Sequence, residues 1–124
     1  MSTQTSFHAQ DLAQQLDTMT DEERHELPFG VIGLDAGGHV WFYSRTEGRL
    51  SGAGPTTFEG VHFFEAVAPC MNHDGVRGRI EHATVRGTLD VEIGHTGDFA
   101  DASRFFRIRA MSARNGGIWL AQLR

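Results

Sequence analysis

Phe29-Gly30-Val31-Ile32-Gly33-Leu34-Asp35-Ala36-Gly37-Gly38-His39-Val40-Trp41-Phe42-Tyr43 sets two apolar runs on either side of an Asp-Ala-Gly-Gly turn. Short runs rich in β-branched and aromatic residues, joined by turn formers, read as a hairpin. This hairpin opens a sheet, and Pro28 stops any helix from running into it. Upstream, Leu12, Leu16 and Met19 recur at spacings of four and three, the period of a helix with one apolar face. Thr20 with Glu23 has the spacing of a capping box for a second short helix. Residues 1–27 are therefore expected to form a helical cap and residues 28–124 a core, within one domain.

Downstream of the hairpin, Ser44 to Ala68 is richer in Gly, Ser and Thr, with Pro55 and Gly60 as breakers. Short helices and loops over one face of the sheet are expected there. Asp74 is placed to cap a longer helix that turns Val76, Ile80 and Val85 inward and ends at Gly87. Three strands should follow, over about 88–96, 104–113 and 118–123, with Phe106 and Ile108 alternating against Arg107 and Arg109. A loop is expected over 94–103, and Asn115-Gly116-Gly117 marks the last turn. The order predicts an α+β, PAS-like domain: a central five-stranded antiparallel sheet, helices on one side and the N-terminal helical cap.

Hydrophobic residues make up 40% and charged residues 22% of 124, the balance of a chain that folds on its own core. Net charge is −5, and the 11 Lys and Arg residues are scattered without a basic run, which argues against a nucleic-acid partner. No apolar run nears the ~20 residues of a membrane span, and Met1-Ser2-Thr3-Gln4-Thr5 lacks a leader pattern. A cytoplasmic protein without a membrane partner, monomeric or weakly dimeric, is the expectation. Seven histidines, His8, His25, His39, His62, His73, His82 and His95, show no H-x-x-x-H pair, so they read as surface or capping residues and no metal is expected.

The only cysteine, Cys70, follows Phe63-Phe64-Glu65-Ala66-Val67-Ala68-Pro69. Read alone, a free cysteine is a small buried hydrophobe or an attachment point. Tyr43, the only tyrosine, ends a strand and reads as a boundary residue. Glu47 reads as a surface carboxylate. A hydrolase built on Cys70 would need a base and an oxyanion hole that no motif marks, so no enzyme is expected.

Taken together, Tyr43-Ser44-Arg45-Thr46-Glu47-Gly48, Ser51-Gly52 and Phe63 to Cys70 resemble the photoactive yellow protein family of PAS-fold blue-light photoreceptors. The resemblance is close from Leu27 to Met71 and elsewhere rests on element order and Trp119. It implies a p-coumaric acid chromophore held as a thioester on Cys70. Tyr43 and a protonated Glu47 would donate hydrogen bonds to its phenolate, and the backbone N–H of Cys70 would also hold the group. Glu47 would be the proton donor after trans-to-cis isomerisation, and loosening of the cap would carry the signal to an unknown downstream signalling protein. Ser51 stands where the family has a threonine supporting the tyrosine, and Ala53 where it has an arginine over the phenolate ring. Ile32, Phe63, Val67 and Ala68 match apolar pocket positions. The family's loop methionine has no counterpart between Met71 and Met111, which leaves Phe99 as the ring-contacting candidate. The alternative is a PAS module that binds a small molecule or a protein without photochemistry.

Overall fold

The computed structural model describes residues 5–85, 87, 89–98 and 101–124. The predicted hairpin is present as β1 (Gly30–Leu34) and β2 (Val40–Tyr43). Its turn is tied by Asp35, whose Oδ1 accepts from the N–H groups of Gly37 and His39, both at 2.9 Å. With β3 (Asp90–Thr96), β4 (Phe105–Ser112) and β5 (Ile118–Leu123) it forms one antiparallel sheet in the order β2-β1-β5-β4-β3. β5 lies at the centre, so its side chains face both layers of the molecule.

Both faces of the sheet are covered. On one, Ile32, Tyr43, Ile93, Phe106, Ile108 and Leu120 pack against Phe63, Phe64, Val67, Met71, Val76 and Ile80 from the helical segment. That segment comprises α3 (Arg45–Ser51), a wide π-helical turn over Phe63–Val67, a 3-10 turn over Pro69–Met71, a second π-helical turn over Asp74–Gly78 and α4 (Arg79–Val85). On the other face, α1 (Leu12–Thr18) and α2 (Asp21–His25) bury Leu12 and Leu16 against Val31, Phe42, Met111 and Trp119. The capping box forms as the spacing predicts, with Glu23 N–H donating to Thr20 Oγ1 and Thr20 N–H to Glu23 Oε1. Arg24 is buried in this layer, its guanidinium 4.8 Å from the Trp119 ring, and it donates to Leu16 O at 2.9 Å. No described helix is long and apolar enough to cross a membrane.

Four expectations are corrected. Asp74 does not cap the long helix: His73 does, its Nδ1 accepting from Gly75 N–H at 3.0 Å. Because the first turn is wound wide, more residues pass per turn than in an α-helix, and Val85 is rotated out to 87% exposure instead of inward. β3 ends at Thr96 as expected, but the loop begins only after it and not at Gly94, since the Phe105 ring of the paired strand fills the space where a side chain would stand. Arg109, expected on a wet face, is 8% exposed because the chain before α1 covers it. It donates to Phe7 O and Ala9 O and pairs with Asp90. Thr88, expected in β3, lies outside the described residues.

Candidate functional site

Ser44 ends β2 and caps α3: the N–H groups of Glu47 and of Val31 in β1 both donate to its Oγ at 3.0 Å. Ser44-Arg45-Thr46-Glu47 also has capping-box spacing, yet the Glu47 carboxylate turns into the core, where it is 2% exposed. Gly30 makes the room, because a Cβ there would collide with Glu47 Oε1. Arg124, just past β5, meets the carboxylate with two parallel hydrogen bonds of 2.8 Å each. The same guanidinium donates from Nε to Asp98 at 2.6 Å and from Nη2 to Gln122 Oε1 at 3.2 Å, and it lies 4.8 Å from the Phe106 ring.

Two carboxylates thus share the Arg124 cation in a buried place, and Asp98 also pairs with Arg104 at 3.6 Å. Burial pushes the Glu47 carboxyl up to about 7; Arg124 opposes the shift and the Asp98 charge adds to it. Burial works against the Arg124 charge, but hydrogen bonds to Asp98 and Glu47 outweigh it and hold the guanidinium above its ordinary value. Tyr43, 3% exposed, is also pushed up, first by burial and then by Glu47, with the Ser51 hydroxyl working the other way.

These groups form one end of a cavity of about 250 Å³, walled by Ile32, Phe63, Val67, Ala68 and Met71 and closed by Gly97, Asp98 and Gln122. An apolar cavity of ~150 Å³ is enough to hold benzene, so this one admits a ring with a short unsaturated arm. Cys70 stands at the wall, exposed, with Sγ 3.8 Å from His95 Nε2. Gln122 is 1% exposed, and its Nε2 finds no hydrogen-bond partner among the described residues. Its orientation is set, because Oε1 is held by Arg124. A buried donor left free on a cavity wall is costly unless something there accepts from it.

Of the residues singled out from sequence, Ile32, Tyr43, Glu47, Phe63, Val67, Ala68 and Cys70 come together on this wall. Ser51 is buried behind Tyr43 and off the wall. Ala53 is off the wall too: the chain leaves α3 through Gly52 in the left-handed conformation, and Ala53 N–H turns back to Ser51 Oγ at 3.2 Å. Phe99 lies outside the described residues. Sequence reasoning missed Asp98, Gln122, Arg124 and the approach of His95 to Cys70. Only Gln122 left a signal, as a lone amide in the otherwise apolar strand Ile118-Trp119-Leu120-Ala121-Gln122-Leu123. His25, His62 and His73 do accept from backbone N–H groups as capping residues, whereas His95 is buried.

No protein-family model matches the chain. A photoactive yellow protein of Halochromatium salexigens is 33% identical over 93 residues, which are 75% of this chain and 74% of that protein. One from Rhodothalassium salexigens is 30% identical over 93 residues, with the same shares. The crystal structure of the photoactive yellow protein domain from the sensor histidine kinase Ppr of Rhodospirillum centenum superposes with a TM-score of 0.81 at 33% identity, covering 90% of this chain and 99% of that one. With 33% identity across three quarters of a photoactive yellow protein and a fold that superposes on such a domain, this chain belongs to the photoactive yellow protein family.

Proposed function

We propose that the chain is a blue-light photosensor with p-coumaric acid joined to Cys70 as a thioester. The observation that carries this is the single cavity that reaches from an exposed thiol to a buried tyrosine, a buried carboxyl and a buried amide with a free N–H. When bound, the group supplies blue-light absorption and a double bond that isomerises from trans to cis. Tyr43, protonated Glu47 and Gln122 Nε2 would donate hydrogen bonds to it, and the backbone N–H of Cys70 would do so at the attachment end. Ile32, Phe63, Val67 and Ala68 exclude water. Ser51 supports Tyr43 from behind.

Glu47 suits the role of proton donor because its carboxyl, raised to about 7, keeps its proton well above the ordinary carboxylate range and releases it at little cost near neutral pH. Once ionised it has Arg124 as a partner, so the charge created here is neutralised in place rather than left bare in the core. A path to the cap starts one residue away. Thr46 Oγ1 donates to Leu27 O at 2.7 Å, Arg45 N–H donates to His25 Nδ1 at 3.0 Å, and Arg45 pairs with Glu22 at 2.7 Å. A shift of α3 therefore pulls on α2 and favours loosening of the cap, the surface offered to a downstream signalling protein.

The test is reconstitution with an activated p-coumaroyl ester. Wild type should gain one coumaroyl group, turn yellow and bleach reversibly in blue light, while Cys70→Ala gains none. Equal labelling of both proteins, or a colourless wild type, overturns the proposal. The Glu47–Arg124 pair favours a second reading, a non-photoactive PAS binding module, because Glu47 already has a partner without a ligand. A yellow protein that does not bleach would support that reading.

A further inference from the structure

We propose that His95 is the general base that activates Cys70 for acylation, the acyl donor being an activated 4-hydroxycinnamoyl thioester. This rests on the reading of Cys70 as the attachment point. Cys70 Sγ is exposed and lies 3.8 Å from His95 Nε2, across the gap between the 3-10 turn at Pro69–Met71 and the end of β3. The imidazole is held in place by the Phe106 ring edge-on at 5.6 Å and by the stacked His73 ring at 6.2 Å. His95 itself is 9% exposed. The unpartnered Gln122 Nε2, on the wall of the cavity that Cys70 also lines, points to a ligand with an acceptor oxygen.

The titratable groups facing His95 are Cys70, His73 and Asp98. Burial, then the His73 charge, hold the imidazole below its ordinary value against the opposing pull of Asp98. The charged form is thus disfavoured, and in the tautomer with its proton on Nδ1 the ring presents an Nε2 lone pair to the thiol. In the step, the Sγ–H proton passes to Nε2 as the sulfur attacks the carbonyl carbon of the donor. The bond from that carbon to the leaving sulfur then breaks, and the leaving thiolate takes the proton from the imidazolium. The products are the Cys70 thioester and a free thiol, with no oxidant or reductant consumed.

The experiment uses the full, unloaded chain and a 4-hydroxycinnamoyl thioester, with acylation followed by mass and by loss of the donor. The wild-type rate should level off above the pH at which His95 becomes neutral. In His95→Gln it should fall about a hundredfold at neutral pH and climb tenfold per pH unit, as for an unassisted thiol. Added imidazole should restore His95→Ala. Matching rates and pH profiles in wild type and His95→Gln, or no response to imidazole, overturn the base role. Alkylation by iodoacetamide, which asks nothing of the cavity, separates the two readings. A wild type alkylated with the same His95 dependence that refuses the thioester overturns the chromophore reading and upholds the base.

Discussion

Glu47 is the residue on which the site's electrostatics turn. Its carboxyl is raised from 4.5 to about 7 by burial, so the folded chain holds a proton there that the unfolded chain has lost. The stability from this group is complete below about 4.5 and is lost as pH rises through about 7. Urea midpoints taken in steps across that window should fall in wild type and stay flatter in Glu47→Gln; parallel profiles would mean that Glu47 ionises as easily folded as unfolded. Gly30 is the companion residue, because a methyl there takes the place of Glu47 Oε1. Gly30→Ala should expel the carboxylate from its pair with Arg124 and destabilise by about 3 kcal/mol in urea unfolding. A loss below ~1 kcal/mol would show that the carboxylate has another place to go. Gln122→Met removes the free N–H without changing length much. The unloaded protein should keep its stability, while the yellow band should move to longer wavelength as the phenolate loses a donor. No band shift would take Gln122 Nε2 out of the pocket.

At the scale of elements, α3 does two tasks, since it carries Glu47 inward and ties α2 to the sheet through Thr46 and Arg45. Thr46→Val leaves the Leu27 carbonyl without its 2.7 Å donor and should cost about 1 to 2 kcal/mol. The loss should fall on the cap, seen as faster limited proteolysis before Leu27, with the yellow band unmoved. Cleavage at the wild-type rate would show that the cap is held by its apolar face and by Arg24 alone. Elements whose signals are local were legible: the first hairpin, the Thr20–Glu23 box and the Asn115 turn each depend on neighbours in the chain. The wide turns before α4 were not, because their winding answers to packing of Phe63, Phe64 and Val76 on the sheet rather than to residue preference.

Over the whole molecule, Arg124 joins the end of β5 to the loop after β3 through Asp98 and to α3 through Glu47. It places a buried cation beside Glu47, whereas position 53 carries none. Arg124→Met should raise the Glu47 carboxyl further and let the chromophore keep its proton to higher pH, both read by pH titration of the yellow band and of the protonated-carboxyl infrared signal. Ala53→Arg, placed off the cavity wall, should move the titration less; the reverse order would give the counter-cation role to position 53. The sequence by itself determined the sheet, the cap, the family resemblance and the joining of Cys70, Tyr43 and Glu47, because alternation, turn chemistry and motif spacing are written along the chain. Only the tertiary structure decided that Arg124, Asp98, Gln122 and His95 meet this site. Those contacts cross from strand to strand and from strand to loop, 26 residues separating Asp98 from Arg124 and 77 separating Glu47 from it, and no local pattern encodes which charge a buried carboxylate will find.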